Sequence, residues 1–278
     1  MNLKPSAMPE LPEVETTRQG LLPQLVGRRV QGAVVRNARL RWPVPADLSR
    51  RLAGEEVIDV RRRGKYLLFD FRRGHLLVHL GMSGRLTLVP DDRPPRAHDH
   101  VDVRFEGART LRLTDPRRFG AMLWLRGRAE DHALLRSLGL EPFDPAFTGE
   151  ALQALARGRR VAVKHFLMDS HVVTGVGNIY ASEALFHAGI HPLRSAGRIS
   201  RARWDRLAAS VRRTLQRAID AGGTTLRDFA SPEGHAGAFQ GQCAVYGREG
   251  APCPVCATPI RAVRQGQRST FYCPGCQR

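Results

Sequence analysis

The sequence predicts an α+β protein: an antiparallel β-sandwich or barrel first, a helical region second and a small metal-bound tail last. Three observations carry that expectation. Between residues 30 and 125, about eight short β-branched-rich runs alternate in polarity, with Gly-, Pro- and Asp-rich turns between them. From about residue 130 to 230 the periodic segments lengthen and become helical, with Pro142 and Pro145 at the junction. Beyond residue 240, two Cys-x-x-Cys pairs bracket short strand-like pieces.

The elements follow in order. Val14, Thr17, Leu21, Leu22 and Leu25 recur at helical spacing, so a helix is expected over residues 11–26. Pro12 suits its first turn, and Glu13 and Glu15 suit the positive end of its dipole. Strands are expected at Val30 to Leu40, Val57 to Arg61, Tyr66 to Phe71 and His75 to Leu80. Four more are expected at Arg85 to Val89, Val101 to Phe105, Thr110 to Thr114 and Ala121 to Leu125. Trp204 to Ile219 is the clearest helix of the second half. There is no repeat of 20–50 residues and no low-complexity tract.

A chain of 278 residues has room for two domains and an appendage, and 42% hydrophobic residues can fill real cores. A net charge of +18 points to a polyanionic partner. A membrane surface would also attract such charge, but no apolar run approaches the ~20 residues of a span. The first residues also lack the apolar stretch of an export signal, so a soluble cytoplasmic protein is expected. Five cysteines in a reducing compartment suggest metal ligands or free thiols. All but three of the 44 basic residues are arginine, which suits phosphate contact but does not deprotonate. The lysines retained, Lys4, Lys65 and Lys164, can mark sites that need a compact or titratable ammonium.

Met8-Pro9-Glu10 opens the first helix. Were Met8 trimmed, Pro9 would present a free secondary amine beside the Glu10 carboxylate. An α-amino group titrates near ~7.7–8, so more of it is neutral and nucleophilic at pH 7 than of a lysine. Condensed with an aldehyde-like carbon, it gives an iminium with no N–H to lose, an electron sink for elimination. The neighbouring carboxylate is placed to move protons. The plainer reading is a proline-punctuated helix start. In the tail, Cys253-Pro-Val-Cys256 and Cys273-Pro-Gly-Cys276 have zinc spacing, and four thiolates close a structural site. Arg261, Arg264 and Arg268 lie on the hairpin between the pairs, which can reach a nucleic-acid groove or simply face solvent. Cys243 stands outside the spacing.

Gly175-Val-Gly177-Asn178 lacks the third glycine of a dinucleotide fingerprint. It reads either as a helix N-terminus offering N–H groups to phosphate or as a plain helix–helix turn. Asp115-Pro-Arg117-Arg-Phe119-Gly and Gly81-Met82-Ser-Gly84 put an Arg, a Phe and a Met on loop tips. Such residues can wedge into a base stack, although loop-tip apolars also turn inward. His79, His98 and His100 are too scattered for a metal cluster, which favours phosphate or structural roles.

Together these residues closely resemble the formamidopyrimidine-DNA glycosylases. The resemblance rests on Pro9-Glu10-Leu11-Pro12-Glu13-Val14-Glu15, Arg62-Arg63-Gly64-Lys65-Tyr66-Leu67-Leu68 and His79-Leu-Gly-Met82-Ser-Gly. It continues through His98-Asp-His100, Asp115-Pro-Arg117-Arg-Phe119-Gly, Gly175-Val-Gly-Asn178-Ile-Tyr-Ala-Ser-Glu183, Gly222-Gly-Thr-Thr-Leu and the four-cysteine finger. It runs from Met8 to the end.

The resemblance implies a base-excision repair enzyme that extrudes 8-oxoguanine or a formamidopyrimidine from duplex DNA, cuts the glycosidic bond and breaks the backbone by β,δ-elimination. It implies a catalytic sandwich over residues 9–130, a helix–two-turn–helix DNA-binding domain over 131–240 and a zinc finger over 241–278. Pro9 would be the Schiff-base nucleophile, Glu10 the proton donor toward the sugar, Lys65 the donor for β-elimination and Arg268 the donor for δ-elimination. Lys65, Asn178 and Arg268 would hold phosphates, and Met82, Arg117 and Phe119 would fill the vacated space. His79, His98, Arg117 and Arg159 match DNA-contact positions, although Arg159 stands where lysine is expected. Cys253, Cys256, Cys273 and Cys276 would hold one structural zinc, and residues from about Gly222 to Phe239 would cover the extruded base. A monomer on double-stranded DNA in the bacterial cytoplasm, associated with the nucleoid, is expected. With residues 1–8 attached the Pro9 nitrogen is an amide, so their absence from the active form is also expected. Two rival readings are a non-catalytic lesion binder, which gives no borohydride-trapped adduct, and a sister glycosylase for oxidised pyrimidines.

Overall fold

The computed structural model describes residues 8–224 and 237–278. They fall into two compact units: residues up to Arg136 with Ala221–Ala238, and Ser137–Asp220 with Phe239–Arg278.

The first unit opens with helix α1 (Leu11–Leu25), which buries Leu11, Val14, Leu21 and Leu25 on one face. Strand β1 (Val30–Val35) and the short helix α2 (Leu48–Leu52) follow. Next come β2 (Asp59–Arg63), β3 (Tyr66–Phe71), β4 (Gly74–His79) and β5 (Arg85–Pro90). The unit's last strands are β6 (Asp99–Phe105), β7 (Arg109–Thr114) and β8 (Ala121–Leu125). They form two four-stranded antiparallel sheets, ordered β1-β6-β7-β5 and β2-β3-β4-β8. Both sheets contribute to one core: Leu67, Phe69, Phe71 and Val78 from the second meet Val101, Val103, Phe105, Leu111 and Leu113 from the first. α1 adds Val14, Leu21 and Leu25 to it. This is the expected antiparallel sandwich.

Several strand ends differ from expectation by a residue or more, and at two of them the backbone hydrogen bonds show why. β1 stops at Val35 because β6 shifts register between Asp99 and Val101, and the N–H groups of Arg36 and Asn37 both turn onto the His100 carbonyl. β2 begins at Asp59 because Val57 is engaged by the chain at residues 27–28 instead. Arg112, only 5% exposed, is held by a forked pair of 2.9 Å bonds to Asp102. Its remaining donors reach the carbonyls of Arg93 and Pro94, so the buried charge is fully engaged.

The second unit packs α3 (Gly149–Ala156), α4 (Val163–Met168), α5 (Asn178–His187) and α6 (Arg201–Asp220). α5 is buried from Ile179 to Phe186, as a helix wrapped by neighbours must be. α6 turns Trp204, Leu207, Val211 and Leu215 inward at helical spacing and leaves Arg206, Arg213 and Arg217 in solvent. The Ser210 hydroxyl donates to the Ala184 carbonyl at 2.8 Å, joining α6 to α5. The hairpin β9 (Arg261–Gln265) and β10 (Arg268–Tyr272) completes the unit. Among the described residues no helix is long and apolar enough to cross a membrane.

Candidate active site and nucleic-acid interface

In the first unit the site is built on the tip of α1. Glu10 caps the helix from an extended conformation, and Pro12 occupies its first turn. Glu10 and Glu13 form a reciprocal capping box, in which the Glu10 N–H donates to Glu13 Oε2 at 2.9 Å. Glu13 is fully buried, and its other oxygen accepts the Thr224 N–H at 2.8 Å. Pro9 itself is buried immediately before the cap.

One turn further on, Glu15 bonds Arg18 and, at 3.0 Å, Arg62 of β2. Burial pushes the Glu15 carboxyl up, but the bonds and charges of Arg18 and Arg62 outweigh it and hold it below the ordinary carboxylate range. Arg62 also donates to the Gly64 carbonyl at 3.0 Å, at the turn that carries Lys65. That turn has only two residues, Gly64 and Lys65, between paired Arg63 and Tyr66. Gly64 at φ +58° supplies the left-handed first position of a tight hairpin turn. Tyr66 pairs with His79 across the sheet, their rings 4.7 Å apart. Burial, with help from the charges of Lys65 and Arg41, pushes the His79 imidazole down to about 4. It is therefore neutral at pH 7. Its Nδ1 accepts the Gly81 N–H at 3.0 Å, which leaves the proton on Nε2 as a donor.

The loops expected to form a wedge lie at one end of the sandwich. Phe119 is 41% exposed, and the Arg117 guanidinium sits 4.9 Å over its ring. Met82 is half-buried on the loop between β4 and β5. A side chain at Gly81 would come within 2.5 Å of the Phe119 backbone, so the two loops touch through a glycine. His98 is exposed, and its carbonyl accepts the Asp115 N–H at 3.0 Å, which brings it to the Arg117 turn.

In the second unit Asn178 is the first residue of α5, behind the capping Gly177. Its side-chain amide donates to the Ser269 carbonyl at 3.2 Å. Lys164, 1% exposed on α4, donates to Thr270 Oγ1 at 2.8 Å and to the same Ser269 carbonyl at 3.3 Å. Thr270 passes a 2.7 Å bond to Gln265, which closes the hairpin that presents exposed Arg268. Arg159 is exposed beside a basic groove lined by Gly158, Arg160, Gly197 and Arg198. Glu183 is buried and accepts three backbone N–H groups, from Ala244, Val245 and Tyr246, at 2.7–3.0 Å. Cys253, Cys256, Cys273 and Cys276 place their four sulfurs within 4.8 Å of one another. A tetrahedron of Zn–S bonds needs sulfurs about 3.8 Å apart, so these thiols fit zinc and leave no open position. Cys243 is a buried thiol outside this group.

The structure thus sets Pro9 and Glu10 at the start of α1, which Glu15 and Arg62 tie to the hairpin carrying Lys65, with His79 on the strand beyond it. It sets Met82, His98, Arg117 and Phe119 at the loop end of the same unit, and Asn178, Arg159, Arg268 and the cysteines in the second. Of the segment expected to cover an extruded base, residues 225–236 lie outside the described residues. Sequence reasoning found no role for Lys164 or Glu183. Rarity marked Lys164, but its partners lie over a hundred residues away.

Three family models match the chain. They describe the formamidopyrimidine-DNA glycosylase N-terminal domain (residues 8–122), the formamidopyrimidine-DNA glycosylase H2TH domain (138–230) and a zinc finger found in FPG and IleRS (250–278). A formamidopyrimidine-DNA glycosylase of Syntrophotalea carbinolica is 59% identical over 98% of this chain and all of its own length. The crystal structure of the MutM (Fpg) protein of Thermus thermophilus is similar at a TM-score of 0.87 and 38% identity, over 97% of this chain and 98% of that one. Lactococcus lactis Fpg in complex with Fapy-dG-containing DNA is similar at a TM-score of 0.89 and 30% identity, over 97% of this chain and 100% of that one.

Proposed function

The chain belongs to the formamidopyrimidine-DNA glycosylase family, and on that premise we propose how its residues divide the reaction. It is a bifunctional DNA glycosylase and AP lyase of base-excision repair, acting on duplex DNA with oxidised purines, and its finger holds one structural zinc ion. The observation that supports the assignment best is the tip of α1. There Pro9 directly precedes the helix-capping Glu10, and the Glu15–Arg62 pair ties the helix to the hairpin bearing Lys65.

On this reading the Pro9 nitrogen bonds C1′ of the lesion nucleotide as the glycosidic bond breaks. Glu10 donates a proton toward the sugar, whose ring opens to leave an iminium on Pro9. Loss of a C2′ proton then expels the 3′ phosphate, with Lys65 as donor. A second elimination, loss of the C4′ proton with cleavage of the C5′–O bond, expels the 5′ phosphate beside Arg268, whose guanidinium keeps its proton and hydrogen-bonds the leaving group. The nitrogen must carry no acyl group, so the acting form begins at Pro9. In support, the family match starts at residue 8. Lys65, Asn178 and Arg268 hold phosphates around the lesion. His79, His98 and Arg159 add contacts, while Met82, Arg117 and Phe119 enter the space left by the extruded base. The work is done by a monomer in the bacterial cytoplasm, on nucleoid DNA.

Borohydride added during reaction with an 8-oxoguanine duplex tests the assignment. The reduced adduct should map to the Pro9 nitrogen, and Glu10→Gln should slow base release by about 10²–10⁴-fold. An adduct on a lysine side chain, with a Pro9 variant fully active, overturns it; no adduct at all indicates a lesion binder.

A further inference from the structure

We infer that Asp115 and Ser83 are positioning residues: a buried lock that makes the Met82 loop and the Arg117–Phe119 loop one preformed wedge. The inference rests on the reading that these loops enter the base stack. Asp115 is fully buried and Ser83 is 2% exposed, directly beneath the exposed loop tips. The Ser83 hydroxyl donates to Asp115 Oδ1 at 2.7 Å, a bond that joins the two loops side chain to side chain. The same hydroxyl accepts the Arg117 N–H at 3.2 Å, and Asp115 Oδ1 shares that N–H at 3.3 Å. Asp115 Oδ2 accepts the Gly120 N–H at 2.8 Å, so one carboxylate grips its own loop on both sides of Phe119. Its backbone is fixed as well: the carbonyl accepts from His100 Nε2 at 2.8 Å and from the Arg118 N–H at 3.2 Å.

The physical need for such a lock follows from what a wedge does. Prising apart a base step costs free energy, and a loop that can fold away would yield before the stack does. Arg118 holds a left-handed φ of +59° in the middle of the turn, a conformation an arginine adopts only where its surroundings fix it. The carboxylate supplies that constraint, because backbone N–H groups converging on a buried anion hold it more strongly than neutral acceptors would. Neither Asp115 nor Ser83 projects from the loop tips. Their effect is to carry force from the sandwich into Phe119 and Met82.

The test uses the enzyme in its acting form, beginning at Pro9, and a duplex in which 2-aminopurine neighbours 8-oxoguanine, so that insertion of the wedge raises its fluorescence. Ser83→Ala should slow that rise and single-turnover base excision together by about tenfold, the loss expected for one bond to a charged acceptor. Cleavage of a single-stranded abasic oligonucleotide, which has no stack to open, should stay within about twofold. Asp115→Asn, which turns a donor toward donors, should exceed Ser83→Ala in the same direction. Phe119→Ala is measured beside them. If Phe119→Ala abolishes the rise and Ser83→Ala does not, the lock is wrong and the wedge reading stands. If Phe119→Ala changes nothing, the wedge reading itself fails. A Ser83→Ala enzyme equally slow on both substrates, with a lowered Tm, shows a general structural role and also overturns the lock.

Discussion

His79 shows how one side chain's surroundings set its chemistry. Packed beside Tyr66, desolvated there and within the field of Lys65, its imidazole is pushed from 6.5 down to about 4. The unfolded chain therefore binds a proton that the folded chain refuses between those two values. Folding stability on this account is complete above about pH 6.5 and is lost as pH falls toward 4. His79→Gln should flatten that part of the stability curve, read as the difference between the two proteins' melting temperatures across the window. Equal slopes for wild type and variant would show that His79 titrates as an ordinary imidazole. Neutrality also suits a phosphate contact, since a fixed Nε2–H donor orients without adding a charge that must be desolvated.

At the scale of elements, the hairpin β9–β10 is held from behind by two helices. Lys164 from α4 and Asn178 from α5 converge on the Ser269 carbonyl, next to Arg268. Replacing Lys164 by Met keeps the stem but leaves Thr270 and Ser269 short of a donor, at a cost of about 1–3 kcal/mol. A Lys164→Met enzyme should melt earlier and yield more product halted after β-elimination, resolved on a denaturing gel by the sugar remnant kept on the 3′ end of the 5′-side fragment. Unchanged melting with full δ-elimination would mean that the lysine does not hold Arg268 in place. The retained lysine is thus explained by reach and donor count rather than by titration. Glu183 does a related job for the chain entering the finger, gathering the N–H groups of three successive residues on one buried carboxylate.

At the scale of the molecule, a net charge of +18 sets a strong sequence-blind attraction to DNA. Affinity for undamaged duplex should therefore fall steeply and linearly on a log–log plot against salt. Arg159→Ala should make that slope shallower by about one, since one phosphate contact is lost. A slope unaltered by the substitution would remove Arg159 from the interface. Phe119→Ala, which removes no charge, should leave the salt slope where it was while impairing excision.

Much of this was legible along the chain. The short apolar runs at Tyr66–Phe71 and Ala121–Leu125 became strands at those bounds, because a brief aromatic-containing apolar run closed by turn residues suits a strand buried on both faces. The finger was legible for a similar reason: Cys-x-x-Cys places two thiols on one turn whatever surrounds it. The Pro9–Glu10 pair needed only adjacency. Partner choice was not legible. Nothing local announces that β4 runs between β3 and β8, or that Val57 leaves β2 for the chain at residues 27–28. Ser83 meets Asp115 across 32 positions, and Lys164 meets Thr270 across 106. Those contacts exist because the core closes and brings polar groups out of water, where each must find whichever partner the packing sets beside it. Backbone periodicity and covalent spacing are written residue by residue; the satisfaction of buried polar groups is decided only when the chain has closed on itself.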